Sequence, residues 1–436
     1  MKRFLLSVLA ISLIFIFGCD NFGESSAPSE KSDYSSSSEP ESSEESHTSA
    51  ESENSESLTP PDDTNDAESV SAMWFSYLDF YSLLTGKSKE EFSQNIADAF
   101  DNCISLGCNT VIVQVRPFSD ALYSSELFPW SAVASGTQGV APDFDPLEIM
   151  VTAAHQRDLK IEAWVNPFRV HNKSDISTLS SLHPAWKWAG EGETVAVLSG
   201  SIFFNPASEE VRELIVRGIE EIVSNYDVDG IHFDDYFYPN PDEDFDDEFY
   251  ADYCSSVSSE ELLSIGDWRR QNINLLIKDV YSAIKAINPE VVFGISPQGN
   301  SYNNYNLQYI DIPFILSHEG YVDYIAPQIY FGINHGSRPF ESTLQEFADM
   351  ITVRGISLYA GLAAYKVGTT DTYAGSGKNE WLENTDTLAK QIDIINSGSI
   401  CSGYIFFRYD SLFAPTEDVE DAIKLEIENI KNITRN

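Results

Sequence analysis

Two adjacent acidic residues, Asp234 and Asp235, are the side chains of this sequence best suited to chemistry. They end the apolar segment DGIHFDDYFYP, which runs from Asp229 to Pro239. The two-residue period of a β-strand places His232 and Asp234 on one face and the apolar residues on the other. A buried carboxylate at a strand end is costly, which indicates a functional site, although the two acids could instead cap a following helix. Glycosidic hydrolysis is one reaction that uses two carboxyl groups.

Alternating strand and helix patterns extend from residue 69 to residue 436 and must position these acids. Eight strands separated by helices favour a (β/α)8 barrel, the TIM barrel, whose active sites lie where the strands end. A doubly wound open sheet is the competing architecture, but the sequence contains no Gly-rich phosphate turn after its first strand. The predicted strands are Ala72–Leu78, Asn109–Arg116, Lys160–Asn166, Asp229–Asp234, Val291–Ser296, Asp323–Tyr330, Ile356–Ala364 and Ser402–Arg408.

The predicted strand ends carry amide, aromatic and charged side chains, a mixture that suits a carbohydrate. Polar groups bind sugar hydroxyls, and aromatic rings stack on the apolar faces of sugar rings. Gln114 and Arg116 are expected on one face of the second strand, and Trp130 is expected at the site. The predicted substrate-binding residues are Gln114, Arg116, Asp120, Trp130, Trp164, Asn166, His232, Tyr236, Gln298, Gln328, Tyr330, Lys366, Arg408 and Asp410.

The two predicted catalytic residues are Asp234, as the charged partner, and Asp235, as the acid. Asp234 both ends a strand and faces inward by the two-residue count. Asp235 points away from the interior if the strand stays regular, so it can act only if the strand bends there. Asp120 and then Asp410 are the next choices for the acid, whereas Glu162 faces the interior but lies too deep.

No metal centre and no cofactor are predicted. The seven histidines form no HxH or HExxH pair. The acidic loop Asp242–Glu248 begins like a calcium loop, but it lacks the glycine of an EF-hand and has Tyr253 at the twelfth position. A looser calcium site in this loop remains open.

The N-terminus has the features of a bacterial lipoprotein signal. Lys2 and Arg3 precede an apolar run, Phe4–Phe17, which is too short to span a bilayer. Residues 16–19 then resemble a lipobox, in which Cys19 becomes the lipidated first residue of the mature protein. An ordinary signal peptide is the alternative. We therefore expect residues 1–19 to direct the protein out of the cytoplasm and Cys19 to anchor it to the bacterial cell membrane.

Residues 20–68 are rich in serine and glutamate and almost lack large apolar residues. Such a segment cannot bury enough surface to offset its ordering entropy, so it is predicted to be a disordered tether. The chain as a whole carries a formal charge of −43. This charge argues against nucleic acid and anionic membrane surfaces as partners, and leaves the lipid anchor as the expected membrane contact.

Six segments resemble the glycosyl hydrolase-like 10 family and occur in the order found in that family. The resemblance covers essentially all of the chain from about Ser71 to Asn436. Together they are far more specific than any one of them alone. The segments are NTVIVQVRPFSDALYSSELFP (Asn109–Pro129), AWVNPFRV (Ala163–Val170), DGIHFDDYFYP (Asp229–Pro239), DYIAPQIY (Asp323–Tyr330), LAAYK (Leu362–Lys366) and GYIFFRYDS (Gly403–Ser411).

The resemblance implies a (β/α)8 barrel, a glycosidase activity and, as substrate, peptidoglycan glycan strands that lack peptide stems. A more distant similarity to α-amylase barrels places Asp234 at the nucleophile position of their fourth strand. Those barrels carry a general-acid Glu at the end of the fifth strand, where this sequence reads Ser296-Pro297-Gln298. The general acid is therefore not assigned by the resemblance, and a glycan-binding lipoprotein without turnover is the alternative function.

Overall fold

The computed structural model describes residues 69–190, 193–239 and 244–434. The predicted signal at residues 1–19, the lipidation site Cys19 and the predicted tether, residues 20–68, lie outside the described residues. Among the described helices, none combines the length and apolar character needed to cross a bilayer. The first strand begins at Val70, next to the predicted boundary at residue 68.

Eight parallel strands close into a barrel, which confirms the predicted fold. The strands of the described residues are β1 (Val70–Phe75), β2 (Thr110–Arg116), β3 (Lys160–Val165), β4 (Arg169–His171), β5 (Val195–Leu198), β6 (Ser201–Phe204), β7 (Gly230–Phe233), β8 (Val292–Ile295), β9 (Tyr324–Ile325), β10 (Ser357–Ala363) and β11 (Gly403–Phe407). Around the barrel the order is β1, β2, β3, β7, β8, β9, β10 and β11, and β11 pairs with β1 to close it. β7 is thus the fourth barrel strand, between β3 and β8.

Helices cover the outside of the barrel. In the described residues they are α1 (Tyr77–Leu83), α2 (Lys89–Ser105), α3 (Ala132–Ser135), α4 (Pro146–His155), α5 (Ala185–Trp188), α6 (Glu209–Asn225), α7 (Asp247–Ser256), α8 (Ile265–Ile287), α9 (Ser301–Asn306), α10 (Ile312–Leu316), α11 (Phe340–Met350), α12 (Glu380–Glu383), α13 (Thr387–Ser397), α14 (Tyr409–Phe413) and α15 (Glu420–Thr434).

Local sequence accounts for several of the helices around the barrel. Asp145 caps α4 by accepting hydrogen bonds from the backbone N–H groups of Leu147 and Glu148, and proline occupies the first helical position. α6 and α8 bury apolar residues spaced three and four positions apart, such as Ile215 in α6 and Ile277 in α8. α6 precedes β7 along the chain and α8 precedes β8, whereas α4 leads into β3.

The sixth barrel strand is shorter than predicted. The sequence favoured eight residues, Asp323–Tyr330, whereas β9 has only two. Pro327 interrupts this segment because it has no N–H to donate to a neighbouring strand. Beyond it the backbone N–H of Ile329 donates to the carbonyl of Pro327, while Gln328 keeps isolated bridges to Gln298 and Gly361. The end of this strand is therefore irregular, and its side chains deviate from simple alternation.

A second, smaller sheet was not predicted. β4, β6 and β5 form a three-stranded antiparallel sheet within the long connection between β3 and β7. β5 and β6 are joined as a hairpin through Ser199 and Gly200, both with positive φ. These strands have three or four residues each, which is too few to give a clear alternating pattern. The sheet begins at Arg169, close behind the end of β3.

A chain of polar side chains fills the barrel interior below the strand ends. Trp74 Nε1 donates to His232 Nε2 at 3.1 Å, and His232 Nδ1 lies 2.7 Å from Tyr324 Oη. The Tyr324 hydroxyl in turn donates to the Glu162 carboxyl group. Burial raises the pKa of Glu162 to about 8 and lowers the pKa of His232 to about 3. Both side chains are therefore neutral at pH 7, as a low-dielectric interior favours.

The raised pKa of Glu162 predicts a pH-dependent stability. Between pH 4.5 and about 8 the folded protein holds a proton that the unfolded chain has lost, so the free energy of unfolding falls as pH rises. One such group contributes at most about 1.4 kcal/mol per pH unit. Glu162→Gln should remove this contribution, which urea unfolding at pH 5, 6, 7 and 8 can measure. Parallel curves for parent and variant would show that Glu162 does not titrate in this range.

Candidate active site

Asp234 directly follows the last residue of β7, and only 4% of it is exposed. Trp164 Nε1 donates to Asp234 Oδ2 at 3.2 Å, and Asn166 Nδ2 donates to the same oxygen at 2.5 Å. The backbone N–H of Tyr236 donates to Oδ1 at 3.2 Å. Three N–H donors on one carboxyl group favour its ionised form. The contacts therefore suit Asp234 as the charged partner.

Neighbouring strands fix the orientation of the Asn166 amide. Gln114, on β2, donates from Nε2 to Asn166 Oδ1, and its own Oε1 accepts the backbone N–H of Tyr77 at 2.8 Å. With its oxygen occupied by Gln114, Asn166 must direct its NH2 group to Asp234. The ends of β2, β3 and β7 thus meet in one hydrogen-bonded network that holds the Asp234 carboxylate in place.

Asp235 turns toward the barrel mouth because the strand ends before it. β7 stops at Phe233, and the backbone bends at Asp235. Gln328 Nε2 donates to Asp235 Oδ1 at 3.1 Å and to the backbone carbonyl of Ser296 at 3.0 Å, and the Gln298 side chain is a further partner of Asp235. The bend that Asp235 needs in order to act as the acid is therefore present.

Burial of two adjacent acids raises the pKa of both. Burial first, and then the charge of Asp235, raise the pKa of Asp234 to about 7, while Arg169 and the donated N–H groups oppose the rise. Burial also raises the pKa of Asp235, and hydrogen bonds from Gln328 and Gln298 oppose it. Two such carboxyl groups share one proton near neutral pH. Hydrogen-bond donors reach both members, three N–H groups on Asp234 and the Gln328 and Gln298 amides on Asp235, so the proton belongs to the pair.

Arg169 is a site residue that is absent from the predicted set. Its guanidinium carbon lies 4.4 Å from the centre of the Phe118 ring and 4.7 Å from the centre of the Tyr236 ring. Its positive charge lowers the pKa of both Asp234 and Asp235. It follows Asn166 by three residues, and this position of a cation just after a strand end was the available sequence signal.

Arg116 lies outside the barrel, so the prediction that it shares a face with Gln114 is wrong. Gln114 pairs with Trp164 and Arg116 pairs with Val165, which leaves the intervening residue of β2 as a bulge. A bulge shifts the alternation by one position. The Arg116 guanidinium accordingly lies 4.3 Å from the centre of the Phe128 ring. It fits against Gly218 of α6, where an added Cβ would come within 2.1 Å of Nη1.

His232 is also misassigned as a substrate ligand. The two-residue count correctly places it on the interior face with Asp234, but its exposed fraction is 0%. Its ring nitrogens contact Trp74, Tyr324 and Ser296, one layer beneath the acids. A sugar in the barrel mouth has no access to it in this structure. His232 instead lies beneath Trp164 and Asp234 and supports them from the barrel interior.

Two predicted ligands from the eighth barrel strand belong to a separate ion-pair cluster. Arg408 Nη1 lies 2.6 Å from Asp79 Oδ1 and 3.2 Å from Asp410 Oδ2. Asp79 is fully buried at the start of α1, and the backbone N–H of Asp410 donates to it. Burial and Asp79 raise the pKa of Asp410 to about 6. This cluster joins β11 to α1 and shares no ion pair with Asp234 or Asp235 in the described residues, which counts against Asp410 as the acid.

Lys366 is likewise engaged elsewhere. Its Nζ lies 2.8 Å from Asp371 Oδ2 within the loop after β10, and 8% of the residue is exposed. Nearby, Tyr330 packs its ring against Tyr365 and Phe407, at centre-to-centre distances of 5.7 and 5.5 Å. Tyr330 therefore belongs to an aromatic wall of the barrel mouth, which leaves its predicted contact with sugar open, whereas the Lys366 ammonium already has a carboxylate partner.

Asp120 and Trp130 lie in the loop after β2. Asp120 Oδ2 accepts a hydrogen bond from Gln138 Nε2 at 2.8 Å, and burial raises the pKa of Asp120 to about 6. Trp130 is partly buried and bridges Ala121. In the described part of the chain neither residue shares a hydrogen bond or ring contact with the acidic pair. Their predicted roles in substrate binding stay predictions.

The acidic loop uses one of its carboxylates internally. Asp246 is fully buried and accepts two hydrogen bonds from Arg269, at 2.8 and 2.5 Å. Asp242 and Glu243 lie outside the described residues. Within the described residues no group of three or more His, Cys, Asp or Glu side chains could hold a metal ion. Asp246 is therefore committed to an ion pair rather than to a cation site.

The end of the fifth barrel strand carries no carboxyl group. β8 ends at Ile295, and Ser296 places its hydroxyl 3.0 Å from His232 Nε2. The following Gln298 contributes an amide to the Asp235 side of the site. This strand end thus supplies a hydroxyl and an amide. Around the fourth strand, Asp235 is the acid that the structure places beside Asp234.

Comparison with known proteins agrees with this architecture. Among solved structures, the glycoside hydrolase domain of PgaB (BpsB) from Bordetella bronchiseptica superposes with a TM-score of 0.52 at 14% identity, covering 82% of this chain and 98% of that domain. α-L-fucosidase isoenzyme 2 from Paenibacillus thiaminolyticus gives a TM-score of 0.52 at 13% identity, covering 84% of this chain and 49% of that one. At such identities the likeness shows the barrel fold alone.

Sequence relatives are much closer. The glycosyl hydrolase YngK of Bacillus subtilis is 36% identical over 329 residues, which cover 71% of this chain and 63% of YngK. The glycosyl hydrolase DigH of Escherichia coli is 34% identical over 346 residues, which cover 74% of this chain and 76% of DigH. The family model described as glycosyl hydrolase-like 10 matches residues 69–376. The chain therefore belongs to the glycosyl hydrolase-like 10 family.

Proposed function

We propose that this protein is a glycoside hydrolase that cleaves O-glycosidic bonds in an extracellular glycan, with cell-wall peptidoglycan glycan strands as the substrate. The observation that carries the proposal is the buried pair of acids at the end of the fourth barrel strand. One member, Asp234, accepts three N–H groups, and the other, Asp235, is held by neutral amides across the barrel mouth. Glycosidic hydrolysis needs two carboxyl groups in opposite protonation states, and a buried pair that shares one proton supplies them.

The two acids have distinct roles in the proposed reaction. Asp235 gives its proton to the leaving glycosidic oxygen as the bond to the anomeric carbon breaks. Asp234 stays ionised and stabilises the positive charge that develops on the sugar ring, either directly as nucleophile or electrostatically. Water then adds its hydroxyl group to the anomeric carbon, which breaks the bond to Asp234 if one has formed, and its remaining proton returns to Asp235 and restores the single-proton pair. Trp164 and Asn166 hold the Asp234 oxygen in position throughout.

A glycan-binding lipoprotein without turnover is the second candidate. The hydroxyl and amides at the end of β8 favour it, because α-amylase barrels place their acidic Glu at that point. Asp234 and Asp235 would then serve only as hydrogen-bond acceptors for sugar hydroxyls. The two candidates differ in turnover and agree in binding.

The direct test is incubation of the purified protein with denuded peptidoglycan glycan strands and with a panel of plant and host polysaccharides. Release of new reducing ends from the denuded strands, but not from the other glycans, is the expected result. Release of reducing ends from another glycan alone would support the hydrolase activity but assign it a different substrate. Binding of the strands without new reducing ends, at several pH values, would favour the second candidate.

We also propose that the protein is anchored in the bacterial cell membrane through lipid on Cys19 and faces away from the cytoplasm. The support is the charged and apolar run before Gly18-Cys19 and the polar segment that follows it. Residues 20–68 would then separate the barrel from the membrane surface. A tethered enzyme of this kind meets its glycan substrate close to the membrane.

Cys19→Ala should move the protein from the membrane fraction to the soluble fraction, because a thiol is needed to accept the lipid. Immunoblots of fractionated cells measure this shift, and the melting temperature of the variant should equal that of the parent. Cys254→Ala is a matched control, since this cysteine is free and partly exposed on α7 and should leave the distribution unchanged. Retention of Cys19→Ala in membranes would contradict the lipoprotein assignment.

A further inference from the structure

The guanidinium of Arg169 is clamped between two aromatic rings at the rim of the site. Phe118 follows β2 and Tyr236 follows the acidic pair, and each ring centre lies within 5 Å of the guanidinium carbon. The backbone carbonyl of Arg169 accepts the Ser119 hydroxyl at 2.8 Å, which ties β4 to the loop after β2. Stacking of this kind fixes the plane of a guanidinium while its N–H edge stays available.

Among the described residues this N–H edge has no hydrogen-bond acceptor. Within the described residues the Arg169 side chain donates no hydrogen bond and has no carboxylate within 4.0 Å. By contrast, Arg269 binds Asp246 and Arg408 binds Asp79. Arg169 is also near enough to the acidic pair for its charge to act on both carboxyl groups. A positioned and unpaired guanidinium beside a catalytic pair indicates a binding site for a substrate group.

We propose that Arg169 binds a free carboxylate on the sugar chain, so that the site selects glycans with carboxylate substituents over neutral ones. This inference rests on the proposed function and names the feature of the substrate that the site reads. A planar guanidinium matches a carboxylate with two parallel N–H···O bonds.

The negative charge of the protein opposes anionic ligands in general. With a formal charge of −43, the chain repels an anionic glycan at long range. A substrate carboxylate close to Asp234 and Asp235 therefore requires a local cation, and the stacked Arg169 supplies one. In peptidoglycan, the lactyl carboxylate is free when the peptide stem has been removed and is an amide when the stem is present. Recognition by Arg169 would make stem removal a requirement for tight binding.

The test compares two forms of one substrate. Denuded glycan oligosaccharides are used as prepared and after chemical reduction of their carboxylates to alcohols. Dissociation constants are measured by calorimetry in an Asp234→Asn background, which avoids turnover, and kcat/KM is measured with the parent acid pair. We expect the carboxylate form to bind about tenfold more tightly or better, and Arg169→Gln to reduce this preference about tenfold. Arg169→Lys keeps the charge but loses the planar fork, and should retain only part of the preference.

Arg157→Lys is the matched control, because Arg157 pairs with Asp101 on the outer surface and should leave the preference unchanged. Equal losses for both substrate forms on Arg169→Gln, with a shifted pH profile, would overturn the proposal and assign Arg169 to tuning of the acidic pair. A parent protein without hydrolysis but with an Arg169-dependent preference in binding would uphold this inference while refuting the hydrolase.

Discussion

Asp234→Asn is expected to lower glycan hydrolysis by orders of magnitude while folding and glycan binding persist. Asparagine retains the size of the side chain but removes the negative charge that stabilises an oxocarbenium-like transition state. It can no longer accept all three N–H groups that Trp164, Asn166 and Tyr236 direct at the carboxylate. Reducing-end release from denuded glycan strands gives the rate, and calorimetry with the same strands gives the affinity.

Asp227→Asn provides the matched control for this substitution. Asp227 lies just before β7, and its side chain is 91% exposed, so its loss should leave both hydrolysis and binding at parental values. Thermal unfolding of both variants checks that the barrel remains intact. Hydrolysis by Asp234→Asn at a near-parental rate would refute the assignment of the charged partner.

Asp235→Asn should also abolish most hydrolysis, and it should change the pH profile. In the parent, kcat/KM is expected to fall as pH rises above about 7, because the proton shared by the pair is then lost and no acid remains. Without the neighbouring charge the pKa of Asp234 should decrease, so this alkaline limb should disappear from the residual activity. Initial rates from pH 4 to pH 9 measure both effects.

An activated substrate separates the role of acid from that of sugar ligand. A glycoside with a nitrophenyl leaving group needs little protonation, so Asp235→Asn should retain far more of the parental rate on it than on natural strands. Gln328→Glu gives a complementary measurement, because an acid next to Asp235 would raise its pKa further and move the alkaline limb upward. An equal and small loss on both substrates would reduce Asp235 to a sugar ligand.

Local sequence was sufficient for the barrel. Apolar runs that alternate with helical patterns specify a parallel sheet covered by helices, and the resulting count of eight strands is confirmed by the closed order of the structure. Signals within a few residues, such as Asp145-Pro146 at the start of α4, need no distant partner. The family assignment was also available from the sequence, since six motifs in order carry more information than any one of them.

Alternation along regular strands also predicted correctly that four side chains share the interior face, because the two-residue period of a strand is a local property. These are Gln114, Trp164, Asn166 and Asp234. It failed for Arg116, where one extra residue in β2 reversed the face, and a bulge is set by pairing with the neighbouring strand. The sixth barrel strand is shorter than the pattern predicted, because Pro327 has no N–H to donate to a neighbouring strand.

What only the tertiary structure decided is which charged groups already have partners. Arg408, Asp410 and Lys366 have the residue types of sugar ligands, yet Asp79 and Asp371 engage them from elsewhere in the fold or loop. Arg169 has no such partner among the described residues, and its rings come from two other segments of the chain. The sequence by itself determined where carboxylates and amides end the strands, because that depends on period. How deeply a side chain is buried and which partner it binds depend on contacts between distant segments. These contacts make His232 a buried supporting residue and give Asp235 the bend that it needs.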